Sequence, residues 1–468
     1  GANKLYVNKG NWKFEDISVK AGFAEENKWS TGVVMADINH DGWLDIYVSQ
    51  VSNYKSFTGK NQLFINKGDL TFTENAKEYH LDFESYSQQA AFFDYDLDGD
   101  LDMYQLNHGV HNPDVYGKSD LRYQRDSLAG DRLLRNDDGK FVDVSESAGI
   151  YGGMIGYGLA VSIADIDNNG CPDIFVSNDF HENDYVYYNN CDGTFREDIK
   201  GTLGHTSTFS MGSDIADINN DGLLDIITLD MKPADEVIRK KSAGADPFEI
   251  FNYKLSYGYF YQYPRNMLQL NRGNLFGSNV QFSEIGQLSG IDATDWSWSA
   301  LLSDLDNDGW KDIFITNGIL RRPIDLDYIH FTYDEEATKH ISSLALAYKM
   351  PDGAVQNCAF RNSGKLIFEN VSAAWGLDHS GYSMGAAYAD LDDDGDLDLV
   401  TNNLNENASV FENNSESVFA HNFIKVKFQG DGKNTFGIGA VVEVVADGMK
   451  LTQAVSPARG WLSSVDYP

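Results

Sequence analysis

Six nine-residue stretches carry the chemistry legible in this sequence. They read DINHDGWLD from Asp37, DYDLDGDLD from Asp94, DIDNNGCPD from Asp165, DINNDGLLD from Asp217, DLDNDGWKD from Asp304 and DLDDDGDLD from Asp390. Positions 1, 3, 5 and 9 are Asp or Asn in every copy, and position 6 is Gly. Alternate residues of a tight loop can aim carboxylates at one centre, and calcium takes about six to eight oxygen ligands. The Gly permits the turn that folds the loop back.

The side-chain ligand sets are therefore Asp37, Asn39, Asp41 and Asp45; Asp94, Asp96, Asp98 and Asp102; Asp165, Asp167, Asn169 and Asp173; Asp217, Asn219, Asp221 and Asp225; Asp304, Asp306, Asp308 and Asp312; and Asp390, Asp392, Asp394 and Asp398. The peptide carbonyl of position 7 can add a ligand, which frees that side chain to vary: Trp43, Asp100, Cys171, Leu223, Trp310 and Asp396. The last Asp can bind through both oxygens. An EF-hand would need a Glu at its twelfth position and flanking helices. Here strand-like runs follow at once (DIYVS, DMYQL, DIFVS, DIITL, DIFIT, DLVTN), so each loop joins two strands. A solvated acidic turn would explain one copy. Six in register point to about six calcium ions.

The elements around the loops recur too. Eight residues before each first Asp stands an aromatic: Trp29, Tyr86, Tyr157, Phe209, Trp296 and Tyr382. A strand of small residues follows, as in TGVVMAD and MGAAYAD, suited to the crowded inner edge of a propeller blade. These aromatics read as packing between blades, with a ligand platform as the alternative. Seven hairpins complete the pattern, starting at Leu5, Leu63, Leu133, Val186, Leu268, Ala359 and Ser409. Each is an apolar strand ending in Asn, a turn, and a second strand near a Phe. One unit is thus strand A, the acidic loop, strand B and a C–D hairpin. Radially repeated four-stranded sheets form a β-propeller. Six A–B pairs and seven hairpins predict an all-β, seven-bladed ring over residues 1–420 whose first blade is incomplete, its A–B pair lying upstream. In the alternative, the opening hairpin completes the last blade.

Composition narrows the function. A formal charge of −35 argues against nucleic acid and anionic membranes. No apolar run is long enough to span a bilayer. Cys171 and Cys191 end up side by side if 173–178 and 185–190 pair as antiparallel strands. They read as a disulfide, with free thiols the alternative, and imply an extracytoplasmic, oxidising location. Cys358 begins a strand and reads as a small buried hydrophobe.

Three B–C connections are long: 107–130, 230–265 and 318–356. They should lie on the face opposite the acidic loops, and the third should hold a helix over DEEATKHISSLALAYKM. Long loops on a rigid scaffold commonly bind ligands. The expected partner-binding residues are Tyr257, Tyr259, Tyr261, Tyr263, Arg321, Arg322 and Tyr328. In the alternative, the insertions only cover the channel or tie blades together.

The acidic loops and their strands resemble FG-GAP/VCBS-type repeats, the blade units also found in the integrin α-subunit propeller. The last stretch, 421–468, has alternating strands (FIKVKF, AVVEVVA, KLTQAVS). With Gly437-Ile438-Gly439-Ala440 and GWLSS, it resembles the start of an ASPIC/UnbV domain, cut short by the end of the sequence. The resemblance implies a surface or exported protein. In large Bacteroidota proteins of this type it implies association with SusC/SusD-like outer-membrane uptake systems. Asp126-Ser127-Leu128 fits the short O-glycosylation pattern of such bacteria.

The resulting expectation is a calcium-stabilised extracellular binding or scaffold module with a protein partner or a glycan, and no catalytic residues. The competing expectation is a glycan hydrolase or lyase at the channel mouth. Its candidates are His108 and His111, His181-Glu182 after Asp179, and Arg321-Arg322 with Asp325. Two histidines three apart in a loop with no fixed third ligand read as polar surface residues. No nucleophile elbow or phosphate loop is present.

Overall fold

Each acidic loop joins two antiparallel strands in one register. The residue before the loop pairs with its ninth position: Ala36 with Asp45, Phe93 with Asp102, Ala164 with Asp173, Ala216 with Asp225, Ser303 with Asp312 and Ala389 with Asp398. The computed structural model describes residues 2–23, 28–274, 280–418, 421–430, 432–446 and 448–467.

Five blades are four-stranded antiparallel sheets. The first comprises Ser30–Ala36, Asp45–Gln50, Gln62–Asn66 and Phe72–Glu74. The second is Ser87–Phe93, Asp102–Asn107, Arg132–Asn136 and Phe141–Asp143, and the third Gly158–Ala164, Asp173–Asn178, Tyr185–Asn189 and Phe195–Glu197. The fourth is Ser213–Ala216, Asp225–Thr228, Met267–Asn271 and Phe282–Glu284, and the fifth Ser297–Ser303, Asp312–Asn317, Cys358–Arg361 and Glu369–Asn370. The sixth has three strands among the described residues, Ser383–Ala389, Asp398–Asn403 and Ser409–Phe411. Its expected fourth strand would begin at Phe419, outside the described residues.

The A strands crowd around the axis, as their small residues require. A methyl group on Gly212 would stand 2.0 Å from the Trp298 carbonyl oxygen, and one on Gly32 2.4 Å from that of Gln88.

The expected seven blades are corrected to six. The opening hairpin (Tyr6–Asn8 with Phe14–Asp16) is a two-stranded sheet of its own, because no A–B pair stands inside it. It fills the sector between the sixth and first blades. Asn8 Nδ2 donates to the Leu391 carbonyl at 2.6 Å, and Leu5 and Val7 pack with Ile46, Val48 and Phe64 of the first blade.

The inner side of that sector is taken by the C-terminal segment. After a hairpin of Val441–Ala446 and Met449–Ala454, the chain runs along the A strands through the middle of the ring. Arg459 pairs with buried Asp214 at 2.9 Å, Gly460 bridges to Ser213, and Trp461 packs on Trp298. Val33 N–H donates to the Leu462 carbonyl, Asp466 N–H to that of Tyr388, and the Tyr467 hydroxyl to that of Met35. Of the buried apolar residues of this tail, Ile438, Ala458 and Val465 belong to the clusters of the propeller itself.

The third insertion departs from expectation. Its single predicted helix is broken into Glu335–Thr338 and Ser343–Ala347, preceded by Leu326–Tyr333. Asp334 and Ser342 each accept a hydrogen bond from a backbone N–H three residues on, so each starts a new helix and interrupts the previous one.

Candidate metal centres and ligand face

The loops are built by their own carboxylates. Position 1 accepts backbone N–H from positions 5 and 6, as Asp37 does from Asp41 (3.0 Å) and Gly42 (2.9 Å). Position 5 accepts from position 7, as Asp308 does from Trp310 at 3.0 Å. The glycine at position 6 is left-handed in every copy, and so is position 4 (His40, Leu97, Asn168, Asn220, Asn307, Asp393). Position 4 was not singled out by the sequence pattern. Asn tolerates this conformation, which explains three of the six residues found there.

The ninth-position carboxylate does more than face the loop. One oxygen accepts from position 2 and the other from the strand-ending Asn of the next hairpin. For Asp173 the donors are Ile166 and Asn189, both at 2.8 Å. The same pair of bonds recurs at Asp45, Asp102, Asp225, Asp312 and Asp398. The Asn side chain in turn reaches the position-8 carbonyl of its own loop and the position-2 carbonyl of the preceding blade. Asn271 donates to Leu224 at 3.1 Å and to Ile166 at 3.2 Å, and Asn362 to Lys311 at 3.1 Å and to Ile218 at 2.8 Å. These asparagines stitch blade to blade, a role hidden in the sequence behind an ordinary turn signal.

Several of the Asp clusters could hold a metal ion. Carboxylate oxygens come within 4.8 Å of one another in Asp94–Asp96–Asp102, Asp165–Asp167–Asp173, Asp304–Asp306–Asp308 and Asp390–Asp392–Asp398. In the first and fourth loops position 3 is Asn, and its amide donates to position 5 at 2.9 Å (Asn39 to Asp41, Asn219 to Asp221). Burial pushes Asp102, Asp173 and Asp312 up to about 8 and Asp94 up to about 6. Asp94 Oδ1 and Asp96 Oδ1 are buried without a hydrogen-bond partner. Converging, desolvated, unpartnered carboxylate oxygens fit a hard cation. The fifth loop differs, because the Arg361 guanidinium already lies 2.6 Å from Asp306 and 3.0 Å from Asp308.

Position-7 side chains turn to the neighbouring C–D hairpin. Trp43 lies on Gly68, Leu223 on Gly273 and Trp310 on Gly364. Cys171 belongs to the same series: it is disulfide-bonded to Cys191 in that turn, with Cα atoms 5.8 Å apart. Cys358 is half-buried, and Asn317 Nδ2 donates to its sulfur at 3.4 Å. The tail crosses this face as well. Lys433 pairs with Asp100 at 3.0 Å, and Lys425 lies 3.3 Å from Asp390.

The three insertions form a joined cap. The Ser119 hydroxyl donates to the Tyr257 carbonyl, linking the first to the second. Ala243 N–H donates to the Ile324 carbonyl at 2.8 Å, and Lys241 pairs with Asp327 at 3.0 Å, linking the second to the third. Tyr257, Tyr261 and Tyr263 are exposed, Tyr328 is half-buried, and Arg321 lies over the Tyr348 ring. Tyr259 and Arg322 are buried instead; Arg322 is held by Asp295 at 2.9 Å. A cleft of about 350 Å³ opens between the second insertion (Phe248, Phe251, Tyr263 and Pro264) and Phe209, with Thr208, Asp246 and Gln262 supplying polar groups.

His108, His111 and His181 gather around Tyr157, which the linear spacing of the histidines does not reveal. Burial pushes His108 and His181 down to about 4, so both are neutral at physiological pH. They are not among the converging ligand groups found in the described residues. Glu182 is buried in an ion pair with Arg122 at 3.1 Å.

The description FG-GAP-like repeat matches residues 1–48 and 165–228, and ASPIC and UnbV matches 430–468. Cartilage acidic protein 1 of Xenopus tropicalis is 28% identical over 116 residues, covering 24% of this chain. The chain spans about 17% of the length of that relative. Among solved structures, an Agrocybe aegerita lectin that recognises non-reducing terminal N-acetylglucosamine aligns over 89% of both chains at 14% identity and a TM-score of 0.42. An exo-β-1,3-galactanase of Phanerochaete chrysosporium aligns over 68% of this chain and 81% of its own at 8% identity and a TM-score of 0.28. The chain therefore carries FG-GAP-like repeats on a β-propeller and an ASPIC/UnbV segment. No described helix is long and apolar enough to cross a membrane.

Proposed function

We propose that this chain is a calcium-stabilised, extracytoplasmic binding propeller that takes a glycan on its cap. The acidic loops and the Cys171–Cys191 bond stiffen one face, and the joined insertions present ligand groups on the other. The observation that carries the proposal is the cleft of about 350 Å³ walled by Phe209, Phe248, Phe251 and Tyr263. Aromatic faces suit the C–H faces of sugar rings, and Thr208, Gln262 and Asp246 suit hydroxyls. Gln262 Oε1 is buried and has no partner. The volume lies within the range of small-ligand sites.

Binding is favoured over hydrolysis by the lining. Glycoside hydrolysis ordinarily uses two carboxyl groups flanking the bond. The cleft offers one, Asp246, and that one is paired with Lys254. A second reading is an obligate subunit of an outer-membrane assembly, which the broad exposure of Phe248, Tyr253, Tyr333 and Tyr348 favours.

A glycan array probed with the chain in calcium tests the first reading. Binding to a defined glycan, lost in Phe251→Ala and without turnover of the bound sugar, is the expected result. No glycan binding, together with a stoichiometric outer-membrane protein co-purifying from the native source, would replace it with the assembly reading.

A further inference from the structure

We propose a second cation site beside the sixth loop, which shares Asp394 with the ligand set of the repeat and adds Asp396 and Glu416: the three hold a divalent cation through their carboxylates. Their oxygens lie within 4.8 Å of one another. Asp396 is only 1% exposed. Its Oδ2 accepts from the Ser415 backbone N–H at 2.9 Å and from the Ser415 hydroxyl at 3.0 Å. Its Oδ1 is buried and has no partner. Position 7 enters the repeat's own site through its peptide carbonyl, so this side chain is surplus to that site.

The second loop supplies an internal comparison. It is the other copy with Asp at position 7, and Asp100 is likewise buried, with an unpartnered Oδ1. There the Lys433 ammonium stands between two carboxylates, 3.0 Å from Asp100 and 2.8 Å from Asp138 of the neighbouring hairpin turn. At the sixth loop the turn supplies Glu416 in place of Asp138. Among the described residues, no lysine or arginine pairs with Asp394, Asp396 or Glu416, and Lys425 is turned to Asp390 and Asp393. Facing carboxylates with no cation repel one another unless they share a proton. A metal ion here would take the place that an ammonium holds at the second loop.

The donor set selects the ion class. Three carboxylates, without imidazole or thiolate, suit a hard cation such as calcium. Ser415 acts behind the ligands, since its two hydrogen bonds hold Oδ2 of Asp396 and leave Oδ1 without a donor. Glu416 is exposed, which leaves room for an ion to enter and for water to complete its coordination.

The proposal rests on the calcium reading of the loops only for the identity of the ion, and calcium alone is the probe. Equilibrium dialysis counts bound ions for the unmodified chain, Glu416→Gln and Asp167→Ala. The expected result is one ion fewer in each variant, with melting temperatures in chelator nearly unchanged. Equal counts for the unmodified chain and Glu416→Gln overturn the new site, and a deficit in Asp167→Ala in the same experiment leaves the loop assignment standing. No deficit in Asp167→Ala would instead sink the assignment of the third loop. A crystal of the unmodified chain grown in calcium gives a second check that needs no variant. An anomalous-difference peak among the three carboxylates is expected, whereas peaks in the loops without one there would mean a shared proton and overturn the site.

Discussion

A single carboxylate type performs two separable tasks in each loop, and substitutions can tell them apart. Asp167 at position 3 accepts only from Asn169 within the loop, at 3.1 Å. Asp312 at position 9 ties Leu305 at 3.0 Å and Asn362 at 2.9 Å, both backbone N–H groups. Asp167→Ala should therefore lower the melting temperature in calcium and leave it nearly unchanged in chelator, where the Asn169 N–H keeps its bond to Asp165 at 3.0 Å. Asp312→Ala should lower it in both, because each stranded N–H costs about 1–3 kcal/mol. Scanning calorimetry with and without calcium reads the difference, and identical behaviour of the two variants would refute the division of labour. Glu284 gives a pH signature outside the loops. Burial alone would raise its pKa, but hydrogen bonds from His205 and Arg265 outweigh it and hold it at about 2. A depressed carboxylate contributes stability that is fully present above its unfolded value near 4.5 and lost as pH falls towards 2. Glu284→Gln should flatten that part of the acid-unfolding profile, and an unchanged acid limb would show that the pair is not formed.

Elements reveal why some features were readable and others not. Strands, loops and the Cys171–Cys191 bond follow from short-range pattern: apolar alternation, Asp–Gly spacing, and two cysteines facing each other across one hairpin. The bond closes a loop with a sequence separation of 20. By chain-entropy reasoning such a loop is worth about 3 kcal/mol. The double substitution Cys171→Ala, Cys191→Ala should lower the melting temperature without changing ion count, since Cys171 contributes only its peptide carbonyl to the loop. A lost ion would mean that the bond shapes the third site. The broken helix of the third insertion was legible in principle from Asp334 and Ser342, both good capping residues. The joining of the three insertions was not, because Ser119–Tyr257 and Ala243–Ile324 contacts link segments far apart in sequence.

At the scale of the molecule, the ring is closed by its two ends. The opening hairpin fills the outside of the sector between the sixth and first blades, and the tail fills the inside. Arg459 and Asp214 form a buried ion pair at 2.9 Å across that core. Removing one partner of such a pair commonly costs about 3–5 kcal/mol, while replacing both with apolar groups is often neutral. Arg459→Met should thus destabilise the whole propeller in denaturant titrations, and Arg459→Met with Asp214→Leu should recover much of the loss. A single cooperative transition is expected, since tail and blades share one core; a separate early transition of the tail would contradict it. The sequence by itself determined the repeat, the carboxylate clusters that could hold a cation, the paired cysteines and the opposite placement of loops and insertions. All of these depend on residues near one another in the chain. Only the tertiary structure decided the number of blades, the course of the tail through the ring, the gathering of His108, His111 and His181, and the meeting of Glu416 with Asp396. Each depends on how rigid blades pack around a common axis, and local spacing carries no record of which distant groups that packing brings into contact.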